Sequence, residues 1–155
     1  MSLAAVALGS NLGAREQALS MAIQALGALG TVTAVSSFVD TEPVGYLNQP
    51  RFLNAAALLD TPLSPVDLLH ALLRIEQEHG RDRSHGIRKG PRTLDLDLLL
   101  YDDVVLTTDE LVLPHPELHH RSFVLQPLVE IAPAWLHPTR HLSMAALLQA
   151  LPPTA

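Results

Sequence analysis

Apolar and polar positions change their period along the chain, and each change marks an element. Leu3 to Leu8 is a continuous apolar run ended by Gly9-Ser10-Asn11-Leu12-Gly13, which predicts a buried strand and then a loop. Residues 14–29 carry Leu19, Ala22, Ile23, Leu26 and Leu29 at helical spacing, with Gly30 as the stop signal. Thr31 to Asp40 is rich in β-branched residues and predicts a second strand, and a third opens at Arg51 and runs to about Asp60. Ser64-Pro65-Val66-Asp67 reads as an N-cap, a first-turn proline and an early acid. Leu68, Leu69, Leu72, Leu73 and Ile75 continue that helix to Gly80.

From Leu94 the period becomes two. Leu94, Leu96, Leu98 and Leu100 line one face of a predicted strand, and Asp95 and Asp97 share the other. Asp102-Asp103 turns the chain, Leu111 to Leu113 is extended, Arg121 to Ile131 is helical despite Pro127, and 142–151 forms a terminal helix. The first hundred residues thus read βαββαβ, the split βαβ or ferredoxin-like α+β arrangement. It predicts an antiparallel sheet with helices packed on one face and a C-terminal extension. Asp95 and Asp97 then lie on the opposite face, where the loops at 41–50 and 80–92 can close over them.

The Cα atoms of Asp95 and Asp97 would sit roughly 7 Å apart at a rise of about 3.4 Å per residue. Carboxylates that close repel one another unless a proton or a cation intervenes, and two Mg²⁺ ions suit them well. A lone Asp-Leu-Asp is more often a half-buried strand with a solvated polar face. The segment just upstream changes that reading. Arg81, Arg83, Arg88, Lys89 and Arg92 are five of the ten Lys and Arg in the chain, gathered within twelve residues. Cations that grip phosphate next to carboxylates that hold metal make a metal–nucleotide site.

Composition narrows the setting. The 155 residues suffice for one domain with a proper core, and a net charge of −6 argues against broad nucleic-acid binding. No run of eighteen apolar residues and no basic leader is present, which predicts a cytoplasmic protein that does not enter membranes. The absence of cysteine removes disulfides and thiolate metal sites. No GxxxxGK[ST] occurs, so ATP would be handled without a P-loop.

Four blocks then stand in one order: Ala7-Leu8-Gly9-Ser10-Asn11-Leu12-Gly13, Gln49-Pro50-Arg51-Phe52-Leu53-Asn54-Ala55-Ala56, Gly90-Pro91-Arg92-Thr93-Leu94-Asp95-Leu96-Asp97, and Leu113-Pro114-His115-Pro116 with Arg121-Ser122-Phe123. Over essentially its whole length, residues 1–155, the chain resembles the 6-hydroxymethyl-7,8-dihydropterin pyrophosphokinases of folate biosynthesis. The resemblance implies transfer of the β,γ-diphosphate of ATP to the pterin, with release of AMP. It implies two Mg²⁺ held by Asp95 and Asp97, and Arg81 and Arg92 stabilising the transferring group. His115 and Arg121 match nucleotide-phosphate contacts, and Glu76, Arg83 and Arg88 fall with the ATP site. Asn54 matches the amide that reads the pterin edge and Phe123 a stacking ring, with Phe52, Thr41, Pro43 and Val44 lining the pocket. The partners implied are small molecules, and the chain is expected to act as a monomer. Lys89 stands where many members carry a tryptophan.

Two other classes share parts of this pattern. Nucleotidyl cyclases and polymerase palms also set paired carboxylates on a split βαβ sheet, but they release pyrophosphate rather than AMP. An RNA-binding module on this fold would want aromatics across the sheet and a basic surface. The chain has 4% aromatic residues and a negative charge, which ranks that reading low.

Overall fold

The computed structural model describes residues 1–11, 14–41, 52–79 and 94–152. The apolar run at the N-terminus forms β1 (Ser2–Ser10), followed by α1 (Arg15–Leu26), β2 (Thr31–Val35), β3 (Val39–Thr41), β4 (Phe52–Thr61), α2 (Pro65–His79) and β5 (Asp95–Tyr101). The sheet order is β2-β4-β1-β5, antiparallel throughout, and β3 pairs with β4 beyond the end of β2. This is the expected ferredoxin-like α+β core. Ser64 caps α2 through its hydroxyl, which accepts the Asp67 N–H at 3.2 Å. Among the described residues no helix is long and apolar enough to cross a membrane.

Several local expectations change. Gly9 and Ser10 belong to the strand rather than to a loop, because both pair with β4. The second predicted strand is split at Ser36-Ser37-Phe38 into β2 and β3. The first helix ends at Gly27, not Gly30. Gly30 instead allows a backbone crossing, since a Cβ there would stand 2.1 Å from the Asp60 carbonyl oxygen.

The larger change concerns the two faces of the sheet. Val6, Leu8, Leu53, Ala55, Ala57, Leu59, Leu96 and Leu98 meet Leu19, Ala22 and Leu26 of α1 and Leu68, Leu72 and Ile75 of α2 in one buried cluster. The opposite face was expected to be left to loops. It is instead partly covered by α3 (Ser122–Ile131) and α4 (Met144–Gln149), whose Val124, Leu125, Leu128, Met144 and Leu147 pack on Ala5, Ala56, Leu58, Leu99 and Leu100. Leu100 therefore lies on the face opposite Leu94, Leu96 and Leu98. The cause is a bulge: Val6 pairs with Leu98 but Ala5 pairs with Leu100, so Leu99 is an extra residue and the alternation reverses beyond it.

Candidate active site

Residues directly opposite in an antiparallel pair point to the same face, so register alone assembles the site. Gly9 on β1 stands between Asn54 on β4 and Asp95 on β5. Two residues back along β1, Ala7 stands between Ala56 and Asp97. Phe52 continues this face on β4, and β3 sets Val39 and Thr41 opposite Asn54 and Phe52. The result is a floor of small residues, walled by an amide and a phenyl ring on one side and two half-buried carboxylates on the other.

Gly9 keeps that floor open. A Cβ there would come within 3.2 Å of Asn54 Oδ1 and 3.9 Å of Phe52 Cδ1, so a side chain would push on the amide it faces. Asn54 is itself buried. Just beyond Gly9, Ser10 Oγ and Asn11 Oδ1 are buried and have no hydrogen-bond partner among the described residues. Local sequence carries no sign of Gly9's role, because its neighbour Asn54 lies 45 positions away on another strand.

His115 closes the carboxylate side. Its backbone N–H donates to the Leu99 carbonyl at 2.9 Å, which ties the Pro114-His115-Pro116 segment to β5. Its Nδ1 accepts the Glu117 N–H at 3.1 Å, so the neutral ring carries its proton on Nε2. Burial pushes its pKa below the ordinary histidine value; the Asp97 charge opposes that and the Arg121 charge adds to it. The imidazole thus feels both a carboxylate and a guanidinium. Arg121 lies over the Phe123 ring, 5.8 Å from its centroid, which brings these two together at the start of α3.

Glu76 lies on the other side of β5. It is buried near the C-terminal end of α2, and its carboxylate accepts the Leu96 N–H at 2.7 Å. Arg81, Arg83, Arg88, Arg92, Pro43 and Val44 lie outside the described residues, as does the side chain of Thr41. Among the described residues no group of three or more His, Asp or Glu could hold a metal by itself. Asp95 and Asp97 still fit Mg²⁺, which commonly takes one or two carboxylates, keeps waters and completes its shell with substrate phosphates.

Residues 5–133 match the family model of 7,8-dihydro-6-hydroxymethylpterin-pyrophosphokinase. The 2-amino-4-hydroxy-6-hydroxymethyldihydropteridine pyrophosphokinase of Bacillus subtilis is 48% identical over 131 residues, covering 83% of this chain and 77% of its own. The protein of the same name from Pseudomonas aeruginosa is 46% identical over 130 residues, covering 83% of this chain and 79% of its own. A triple mutant of Plasmodium falciparum HPPK-DHPS superposes with a TM-score of 0.77 at 16% identity, over 96% of this chain and 44% of that one, a likeness of fold. With the match running from β1 to the end of α3 and through every described residue of the floor, the chain belongs to the hydroxymethyldihydropterin pyrophosphokinase family, which transfers a diphosphate from ATP to hydroxymethyldihydropterin.

Proposed function

We propose that Asp95, Asp97 and the Asn54–Gly9 row hold the two substrates of this transfer side by side on one face of the sheet. The pterin hydroxyl oxygen forms its new bond to the β-phosphorus, the bond from that phosphorus to the α–β bridging oxygen breaks, AMP leaves, and the hydroxyl proton is released. The observation that carries this reading is the row Asn54–Gly9–Asp95. Two strand spacings of about 4.8 Å set the amide roughly 10 Å from the first carboxylate, room for a bicyclic ring on a flat floor.

In this reading Asn54 reads the ring edge by its amide, Phe52 and Phe123 give the ring apolar and stacking contact, and the 41–44 segment (Thr41, Pro43, Val44) completes the pocket. Asp95 and Asp97 hold two Mg²⁺, which neutralise phosphate charge and align the chain of phosphates when bound. His115 offers Nε2–H as a donor to a phosphate oxygen, and Arg121 adds a fixed positive charge beside it. Arg81 and Arg92 neutralise the transferring group, and Arg83 and Arg88 contact the nucleotide. Such transfer gains chiefly from positioning and charge neutralisation, and no side-chain base is assigned. The chain acts as a cytoplasmic monomer, residues 1–155 forming one domain, on small molecules rather than nucleic acid.

The test is to mix the purified protein with ATP, Mg²⁺ and 6-hydroxymethyl-7,8-dihydropterin and identify the nucleotide product. AMP that forms only with the pterin, together with a pterin diphosphate, is expected. ADP would mean single phosphoryl transfer, and free pyrophosphate a nucleotidyl-transfer enzyme.

A further inference from the structure

We infer that Glu76 is the positioning residue of the carboxylate pair, holding the edge of β5 so that Asp95 and Asp97 are presented together. That role rests on the reading above, in which the pair holds the metal. Among the described residues β5 is the last strand of its sheet and pairs there only with β1. An edge strand leaves alternate N–H groups without a ladder partner and is free to twist on its open side. Here the N–H of Leu96, the residue between the two aspartates, is taken by the Glu76 carboxylate at 2.7 Å.

Glu76 is only 4% exposed, follows Ile75 of the leucine core in α2, and is bonded to the backbone of Leu96. A carboxylate buried this deeply needs hydrogen-bond donors, and the Leu96 N–H is one that meets the need. What an apolar residue cannot do is accept a hydrogen bond from the strand. The charge-assisted bond is short and directional, so it fixes the rotation of the Leu96 peptide about the strand axis. That N–H belongs to the peptide joining Asp95 to Leu96, and Asp97 follows Leu96 on the same face as Asp95, so a twist of the strand at Leu96 would move both carboxylates. An acceptor at the strand's open edge thus controls the aim of two groups on one of its faces, as outer-shell partners do for metal ligands.

The experiment compares wild type with Glu76→Gln, Glu76→Ala and Glu76→Asp. Gln keeps an acceptor oxygen at the same reach, Ala removes it, and Asp keeps the charge but falls a methylene short. Three quantities are read: Mn²⁺ binding with a non-hydrolysable ATP analogue by EPR, amide exchange at Leu96 by NMR, and the division of any loss between kcat and KM. Glu76→Ala and Glu76→Asp are expected to weaken Mn²⁺ binding by about 10–100-fold, the usual cost of removing an outer-shell partner. Leu96 exchange should accelerate in both, and kcat should fall more than the pterin KM rises. Glu76→Gln should stay within about threefold of wild type in Mn²⁺ binding.

Unchanged Mn²⁺ binding in Glu76→Asp, with Leu96 exchange accelerated, would overturn the positioning role. So would a Glu76→Gln protein as impaired as Glu76→Ala, since charge rather than acceptor geometry would then matter. If Glu76→Ala does not fold, the Asp and Gln pair decides alone. A wild type that makes no AMP would sink the pyrophosphokinase reading, while the Mn²⁺ and exchange comparison would still judge Glu76.

Discussion

The two faces of the same sheet, at the same height, are built from opposite materials. Toward α1 and α2 the sheet offers Val6, Leu8, Leu53, Leu96 and Leu98, and every one is buried. Toward the other side it offers Ala7, Gly9, Asn54, Asp95 and Asp97. Alternation along a strand makes this possible, because away from the bulge neighbours in sequence take opposite faces. The contrast teaches that side-chain volume is the hidden variable. Large residues on one face make the core, and small ones opposite leave room for something that is not protein. α3 and α4 fill that room over Ala5, Ala56, Leu58, Leu99 and Leu100, with partly buried Ala7 at the margin.

Adjacent substitutions on β5 sharpen this contrast most. Asp97→Ala is expected to lower turnover about 1,000-fold, equivalent to ~4 kcal/mol of barrier, while the melting temperature moves little. Leu98→Ala, one residue on, should cost about 2–5 kcal/mol of folding stability and leave the turnover of the folded fraction near wild type. Paired melting curves and AMP-release rates check both, and an Asp97→Ala protein that melts like Leu98→Ala would dissolve the distinction between the faces.

A smaller effect is expected from Gly9→Ala. The added methyl must displace Asn54 Oδ1, so the pterin KM should rise about tenfold, or ~1.4 kcal/mol, with the ATP KM little changed. An equal rise in both constants would place the perturbation elsewhere.

The smallest effect belongs to the cover of the floor's own face, at His137 in the turn between α3 and α4. It is buried, and its Nδ1 accepts the N–H groups of Thr139 and Arg140 at 3.3 and 3.1 Å. Burial first, and then the Arg140 charge, lowers its pKa. A histidine held neutral in this way contributes stability that is full above its ordinary value near 6.5 and is lost as pH falls through the lowered value. His137→Asn keeps an acceptor without a titrating ring, so its melting temperature should fall by about 2 °C less than wild type's between pH 7 and pH 5. Thermal scans at both pH values give the answer, and parallel losses would assign the acid sensitivity to other groups.

Much of this was legible in the chain because the deciding interactions are local. The Asp-Leu-Asp alternation, the Ser64 cap and the Arg121–Ile131 helix each depend on residues within a turn or two of one another. Gly9 was not legible, since its value depends on Asn54 across a strand pair. Nor was the bulge, which exists only relative to β1, and the alternation predicted for Leu100 failed at that point. Glu76 could be seen near the basic loop, but its bond to Leu96 spans 20 positions and follows from how α2 lies against β5. The contacts expected of Arg81, Arg83, Arg88 and Arg92 fall outside the described residues.

The bulge at Leu99 works as a change of phase in the strand. Without it, Asp95, Asp97 and Tyr101 would all face the same way, because odd positions would stay in step. With it, the aspartates look to the floor while Tyr101 turns back to the leucine core, where its hydroxyl donates to the Leu63 carbonyl just before α2. One inserted residue lets a seven-residue strand serve a solvent-facing chemistry at one end and fasten a helix behind the sheet at the other. A chain shortened by that residue could keep one of these attachments but not both.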